Sequence, residues 1–376
     1  MIKKSLLSLS AVLVVYLLTW PVEVEPVAWQ APENLGYTER FAQNQQLSQL
    51  HRIELDGDIG PEDFAVDDNQ NIYFSLASGD IKYLDPKGKI HAWVNTGGRP
   101  LGIEFDGQGN LIVADAYNGL LKIDVNGKIE TLVDIVDGIK VNYADDVDIS
   151  DNGKIYFSDA STKFHAKKYG TYGASLLDIN EHGGHGRLIE YDPATKTAIT
   201  LASGFNFANG VTMSHDNQWV LMNETGHYRI LKVAVEGENK GQYQVVIDGL
   251  PGFPDNINQG SNGLYWFGMV SPRSKPLDML SGSGFARKII QRLPAFMRPK
   301  AQHFGHVVAI TEDGVVKHNL QDPLGMYGQT TGALEVGNQL YISSLHETAL
   351  AKTLNPNMAN TVEVTQENGE QVGSQP

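Results

Sequence analysis

The sequence predicts an all-β chain, a six-bladed β-propeller preceded by one N-terminal transmembrane helix. Three observations predict it: an apolar-aromatic strand phrase that recurs along the chain, a second strand phrase that follows it in step, and an opening uncharged run of membrane-crossing length.

The opening comes first. Lys3 and Lys4 precede an uncharged run from Ser5 to Val22 that carries Trp20 near its far end. As a helix it would extend roughly 27 Å, close to a hydrocarbon core of about 30 Å. The two lysines would stay on the cytoplasmic side, so the rest of the chain would be exported to the periplasm, lumen or cell exterior. A cleaved signal peptide shares this pattern, which would make the protein secreted, but no small-x-small cleavage site follows Leu18. Residues 1–25 are thus expected to be a signal anchor and residues 26–45 a linker.

The repeats fill residues 46–356. The first strand phrase starts at Asn71, Asn110, Lys154, Gln218, Gly263 and Gln339. The second starts at Asp80, Leu120, Arg187, Arg229, Val307 and, in degenerate form, Ala349. Alternating apolar residues between D-x-x-G and D-P-K-G turns read as strands and hairpins, and a period near 40 residues reads as blades. A β-sandwich with a long insertion is the competing architecture.

Two spacings exceed a blade. One lies between Ala160 and Gly186, the other between Ser271 and Gly305. The second is expected to hold a short helix with Phe285, Ile289, Ile290 and Leu293 on one side and Arg287, Lys288 and Arg292 exposed. Such a helix would cover a channel mouth, rest on anionic lipid through residues 285–300, or pack on a blade edge. The polar tail, residues 357–376, is expected to be disordered.

Composition excludes several functions. The chain has no Cys, which removes disulfides, thiolate zinc sites, a cysteine nucleophile and a lipoprotein anchor. With 44 acidic against 29 basic side chains and a net charge of -15, it is no match for a nucleic-acid backbone.

Acidic or amide phrases precede inner strands at corresponding places: Glu62 in GPEDFAVD, Asp145 and Asp146 in NYADDVDIS, Asn209 in FNFANGVTMS, Asp255 and Asn256 in FPDNINQG. In a propeller these positions converge on the central channel, and hard oxygen donors converging there suit Ca2+. Singly, each is an ordinary turn or cap residue. Their repetition at blade starts is the signal.

These phrases, with GRPLGIEFD, LIVADAYNGLLKID, IYFSDASTKF, GRLIEYDP and ETGHYRILK in the same order, resemble the strictosidine synthase-like proteins over roughly residues 52–350, and among them the membrane-anchored branch. More widely they are similar to the gluconolactonase, paraoxonase and diisopropylfluorophosphatase group of calcium-dependent six-bladed hydrolases. The resemblance implies that Glu62, Asn209 and Asp255 ligate calcium, with Asn256 next and Asp146 in support. Asp145 stands where many calcium-bearing relatives have Asn. The implied reaction is hydrolysis of an ester, lactone or phosphoryl substrate, the metal polarising the bond attacked.

Two departures bear on catalysis. Leu101 occupies the place of a paraoxonase-type His, and its His partner falls near Asp115. Thr331 falls where strictosidine synthases use Glu, with Glu335 several residues away, which argues against amine–aldehyde condensation. Asp255, then Asp115, remain as general-base candidates. His182 and His185 are expected to be solvated, His227, His303, His306 and His346 are not separated by the sequence, and Tyr117 and Tyr143 are candidate pocket residues. An esterase or lactonase of arylesterase type is the leading reading. A noncatalytic binding propeller with structural calcium competes with it, and a synthase-type lyase stands behind both.

Overall fold

The computed structural model describes the backbone of residues 2–358 and the side chains among them except residues 2–7 and 9. Of the predicted disordered tail, residues 359–376 lie outside the described residues.

Six four-stranded antiparallel sheets follow one another along the chain. Their inner strands are Phe64–Val66, Pro100–Phe105, Ala144–Ile149, Ala208–Met213, Gly252–Gln259 and Thr330–Val336. Each touches the next and the last returns to the first, so the sheets form a closed six-bladed propeller. The two recurring phrases are the second and third strands of every blade. Second strands such as Leu111–Asp115 and Ile155–Asp159 are buried along their whole length. Blades cover them on both faces, which is why they read as near-continuous apolar runs.

The hairpins explain the D-x-x-G phrases. In the second blade Asp106 Oδ1 accepts from the Gln108 and Asn110 N–H groups, and Gly109 takes a φ of +81°, a left-handed turn open to glycine.

The ring closes through a strand the repeat did not reveal. His51–Glu54 pairs antiparallel with Ala349–Leu354 as the outermost strand of the last blade, tying the two ends of the domain together. The segment before it is no free linker. Val24, Phe41 and Leu47 are buried, Phe41 in the cluster around Tyr228 and Phe267.

The inserts correct two expectations. Their main helices are Thr171–Glu181 and Gly284–Arg292. In the second, the cations do not face solvent as a basic stripe. Arg287 is buried and donates to the carbonyls of Asn180, Val27 and Ser281, while Arg292 is buried and donates to Leu17 O (3.0 Å) and Trp20 O (2.5 Å). Lys288 pairs with Glu25 at 2.5 Å. What this region exposes instead is Phe285, Phe296 and Met297. The chain entering the propeller offers unpaired carbonyls, and the guanidinium groups are drawn inward to satisfy them.

Ile2–Thr19 is helical, and Arg292 holds the carbonyls at its C-terminal end. Among the described residues no helix is long and apolar enough to cross a membrane.

Candidate functional site

The site begins with an irregularity shared by the blades. In five inner strands the register slips between the first and fourth residues of a tetrapeptide: Pro100/Ile103, Ala144/Val147, Ala208/Val211, Pro254/Ile257 and Thr330/Ala333. Each inner strand carries one extra residue against its partner, a bulge that re-aims the side chains within it. Pro61 to Phe64 occupies the same place in the first blade, where Glu62 N–H bonds Ser75 O at 3.1 Å. The first residue of each pair is Glu62, Leu101, Asp145, Asn209, Asp255 or Thr331, and the second is Asp63, Gly102, Asp146, Gly210, Asn256 or Gly332.

The first residues converge. Glu62, Leu101, Asp145, Asn209 and Asp255 line one cavity of about 960 Å³ together with Arg99, Tyr117, Tyr143, Phe207 and Phe253. Both inserts wall it, through residues such as Tyr172, Leu177, Leu277 and Ile290. Asn209 Nδ2 donates to Asp255 Oδ1 at 2.5 Å. Thr331 Oγ1 donates to Glu62 O at 2.6 Å and lies 2.7 Å from Ser343 Oγ.

The second residues join blades. Asp63 Oδ2 accepts from Ile103 N–H at 2.9 Å, and Asp146 Oδ2 accepts from Val211 N–H at 2.8 Å. Asn256 Nδ2 reaches across to Glu62 O and Oε1, both at 3.0 Å. Glycine alternates with these polar residues because the space is taken. A Cβ on Gly102 would overlap the Asp146 carboxylate, and one on Gly210 the Asp255 carbonyl.

Electrostatics mark the first group as unfinished. Glu62 Oε2, Asp145 Oδ2 and Asn209 Oδ1 of the first group are buried acceptors without a hydrogen-bond partner, as are Asp63 Oδ1 and Asn256 Oδ1 of the second. Burial, then the charges of Asp255, Asp63 and Asp145, push the Glu62 carboxyl well above the usual range. Burial and then Asp255 do the same to Asp145, and burial raises Asp255 to about 7. The Arg99 guanidinium opposes these effects at Glu62 and Asp145 but is a single cation among three acids.

Buried acceptors left unpaired, with like charges gathered around them, are costly unless something positive is shared. The donor set, all oxygen and without sulfur or imidazole, is that of a hard cation such as Ca2+. Glu62, Asp145, Asn209 and Asp255 would hold it from the cavity, with Asn256 holding Glu62 from behind. Among the described residues no group of three His, Cys, Asp or Glu is arranged to hold a metal ion; of the four oxygen donors here, three are carboxylates and one, Asn209, is an amide.

Other candidates fall elsewhere. Asp115 is not among the residues lining the cavity: its Oδ1 accepts from the N–H groups of Arg99, Tyr117 and Asn118 at 3.0–3.1 Å and holds a loop, while its buried Oδ2 has no partner. His182, expected in solvent, is buried and stacked on Trp29 at 3.8 Å, and burial lowers it to about 3. His185 pairs with Glu181 at 2.6 Å. Of the remaining histidines, His346 lines the cavity, whereas His306 is buried against Asn319. Glu335 accepts from Trp266 Nε1 and Ser261 N–H, remote from the ring, and Thr331 stands at the ring position that the sequence register gave it. Sequence reading missed Arg99 and Asp63. Stacking the tetrapeptides PEDF, PLGI, ADDV, ANGV, PDNI and TTGA would have shown Asp63 as the partner of Asp146 and Asn256; no signal marked Arg99.

Comparison with known proteins agrees with this architecture. The Strictosidine synthase family profile matches residues 145–238, and the N-terminal profile of strictosidine synthase-like proteins matches residues 39–83. Adipocyte plasma membrane-associated protein of Salmo salar is 32% identical over 92% of this chain and 87% of its own length. Protein strictosidine synthase-like 4 of Arabidopsis thaliana is 34% identical over 76% of each chain. Among solved structures, a gluconolactonase from Xanthomonas campestris has a TM-score of 0.60 at 15% identity, covering 82% of this chain and 91% of that one. Regucalcin from Agrobacterium tumefaciens, a calcium-binding protein, has a TM-score of 0.56 at 14% identity, covering 81% and 93%. At such identities the likeness is one of fold.

Proposed function

The chain belongs to the strictosidine synthase-like family, and from that premise we propose that it is a calcium-dependent hydrolase of esters or lactones, of arylesterase type. The observation that carries the reading is the set of unpaired buried oxygens on Glu62, Asp145 and Asn209 at the base of a large, mostly apolar cavity. A fold needs no such set, and a substrate pocket does. The gluconolactonase and calcium-binding neighbours support it in kind.

Calcium bound there would supply Lewis-acid polarisation of the substrate carbonyl and would favour an ionised water. The protein's part is positioning. Asn209 orients the Asp255 carboxylate through its amide, and Asn256 and Thr331 fix the Glu62 backbone and side chain. Leu101, Phe207 and Phe253 keep bulk water from the reacting bond. Asp255 would take a proton from the attacking water.

Leu101 favours a second reading. Its place in the ring offers no imidazole, so a noncatalytic propeller with structural calcium would fit the same geometry. A lyase of strictosidine synthase type fits less, since Thr331 and not a carboxylate occupies the sixth position. The apolar run at the N-terminus, and a relative named for the plasma membrane, support a membrane-anchored protein with its propeller on the exported side.

The test is hydrolysis of an aryl ester, an aliphatic lactone and a phosphotriester by the full chain, with calcium and with chelator. Activity lost on chelation, restored by calcium and absent in Asp255→Asn supports the hydrolase. Calcium binding without turnover of any substrate sinks it in favour of the binding propeller.

A further inference from the structure

We propose that the substrate is an anionic amphiphile, its charged group held by Lys275, Arg298 and Lys300 of the second insert while its ester or lactone carbonyl lies at the ring. The inference rests on the hydrolase reading above and names its substrate class.

The cavity lining combines two chemically different groups. Inner-strand bulges supply the acids, and the insert between Ser271 and Gly305 supplies cations. Leu101, Leu177, Phe207, Phe253, Leu277 and Ile290 add an apolar lining. A cavity of about 960 Å³ takes a ligand with a substantial apolar body.

The insert's other cations are spoken for. Arg273 pairs with Asp278 at 3.0 Å, Lys288 with Glu25 at 2.5 Å, and Arg287 and Arg292 bind carbonyls. Lys275, Arg298 and Lys300 line the cavity and make no ion pair among the described residues. Arg298 is steadied by its Nε, which donates to Leu293 O at 2.7 Å, leaving its terminal nitrogens free. Outside the ring the lining has one acid, Glu23, which sits 3.5 Å from Lys168.

In a chain of 44 acidic and 29 basic side chains, three unpaired cations on one cavity wall run against the overall balance. Their field would draw an anion into the cavity. The ring carboxylates would repel the same anion, so the substrate has one favoured orientation, with the charge at the insert cations and the neutral carbonyl at the ring. A cationic amine would be repelled at the insert.

The experiment compares two esters with one leaving group, para-nitrophenyl octanoate and the mono-para-nitrophenyl ester of suberic acid. Their acyl chains have the same length and end in a methyl or a carboxylate. The full chain and its Lys275→Gln/Lys300→Gln variant are assayed with calcium. Binding of dansyl-aminoundecanoate and of its neutral methyl ester is followed by fluorescence in calcium and in chelator. The expected result is a preference for the anionic ester that falls about three- to tenfold in the variant and weakens with salt, with a parallel loss of affinity for the dansyl carboxylate alone. An unchanged preference and unchanged dye affinity overturn the inference. If wild-type protein hydrolyses neither ester, the hydrolase reading fails while dye binding still decides the subsite. If the substitutions weaken adsorption to phosphatidylserine vesicles but not dye binding, the cations serve a membrane surface and the inference is overturned.

Discussion

Asp145 and Asp146 are adjacent acids in one inner strand, and their carboxylates are used in opposite ways. Asp145 faces the cavity with Oδ2 buried and unpaired, while Asp146 has both oxygens bonded, to Val147 N–H and across the blade boundary to Val211 N–H. In the first and fifth blades the division is incomplete: Asp63 and Asn256 bond across to Ile103 N–H and to Glu62, yet Asp63 Oδ1 and Asn256 Oδ1 are also buried without a partner. In the third blade, one position along a bulge separates a group left for a ligand from a group spent on the fold. Residue type alone does not make the distinction.

Substitutions should separate the two rings, and the largest effect belongs to the first. Asp255→Asn is expected to lower ester or lactone turnover by at least on the order of 100-fold and to weaken calcium binding, as read by steady-state rates and calorimetry, with little loss of folding stability. If the variant melts early but retains affinity for calcium, the first ring is structural and the comparison breaks.

Asp146→Ala should do the reverse. It leaves the Val147 and Val211 N–H groups without an acceptor, at a cost of about 2–5 kcal/mol by denaturant unfolding, while the calcium affinity of whatever remains folded is nearly kept.

The pH dependence of stability sharpens the contrast further. In chelator, the folded carboxyls of Glu62, Asp145 and Asp255 are raised, Asp255 to about 7. The folded state then binds more protons than the unfolded chain, whose carboxyls titrate near 4, so stability is full below that range and falls as pH rises through about 7. Calcium, which needs the ionised forms, should flatten or reverse the fall. Melting temperatures from pH 5 to 8 with and without calcium check this, and a chelated protein that gains stability over that interval would contradict the like-charge cluster.

The smallest effect is at a glycine. Gly102→Ala would press a methyl group into the Asp146 carboxylate and is expected to cost about 1–3 kcal/mol without altering the metal site directly.

Much of the propeller was legible because its signals are local. Strand phrases and D-x-x-G hairpins repeat within a few residues of one another, and each turn is closed by its own Asp and Gly. Glu62, Asp145, Asn209 and Asp255 were legible as a group because blade repetition gives them one address. Asp115 misled because it ends a strand phrase near the site phrases, but it lies outside the cavity lining and three neighbouring N–H groups bond its Oδ1. The basic helix misled differently. Amphipathic spacing puts Arg287 and Arg292 on a polar face, and only the packing of residues 17–27, Asn180 and Ser281 beside them supplies the carbonyls that bury them.

By itself the sequence determined the all-β class, the six blades, the inserts and the oxygen-rich channel, since these follow from short-range periodicity and composition. Tertiary structure alone decided which of two adjacent acids faces the cavity, that His51–Glu54 closes the last blade, and that the second insert turns cations inward and lends three others to the cavity wall. Those outcomes depend on which unpaired backbone groups and charges distant segments bring together, and that is a property of packing in three dimensions.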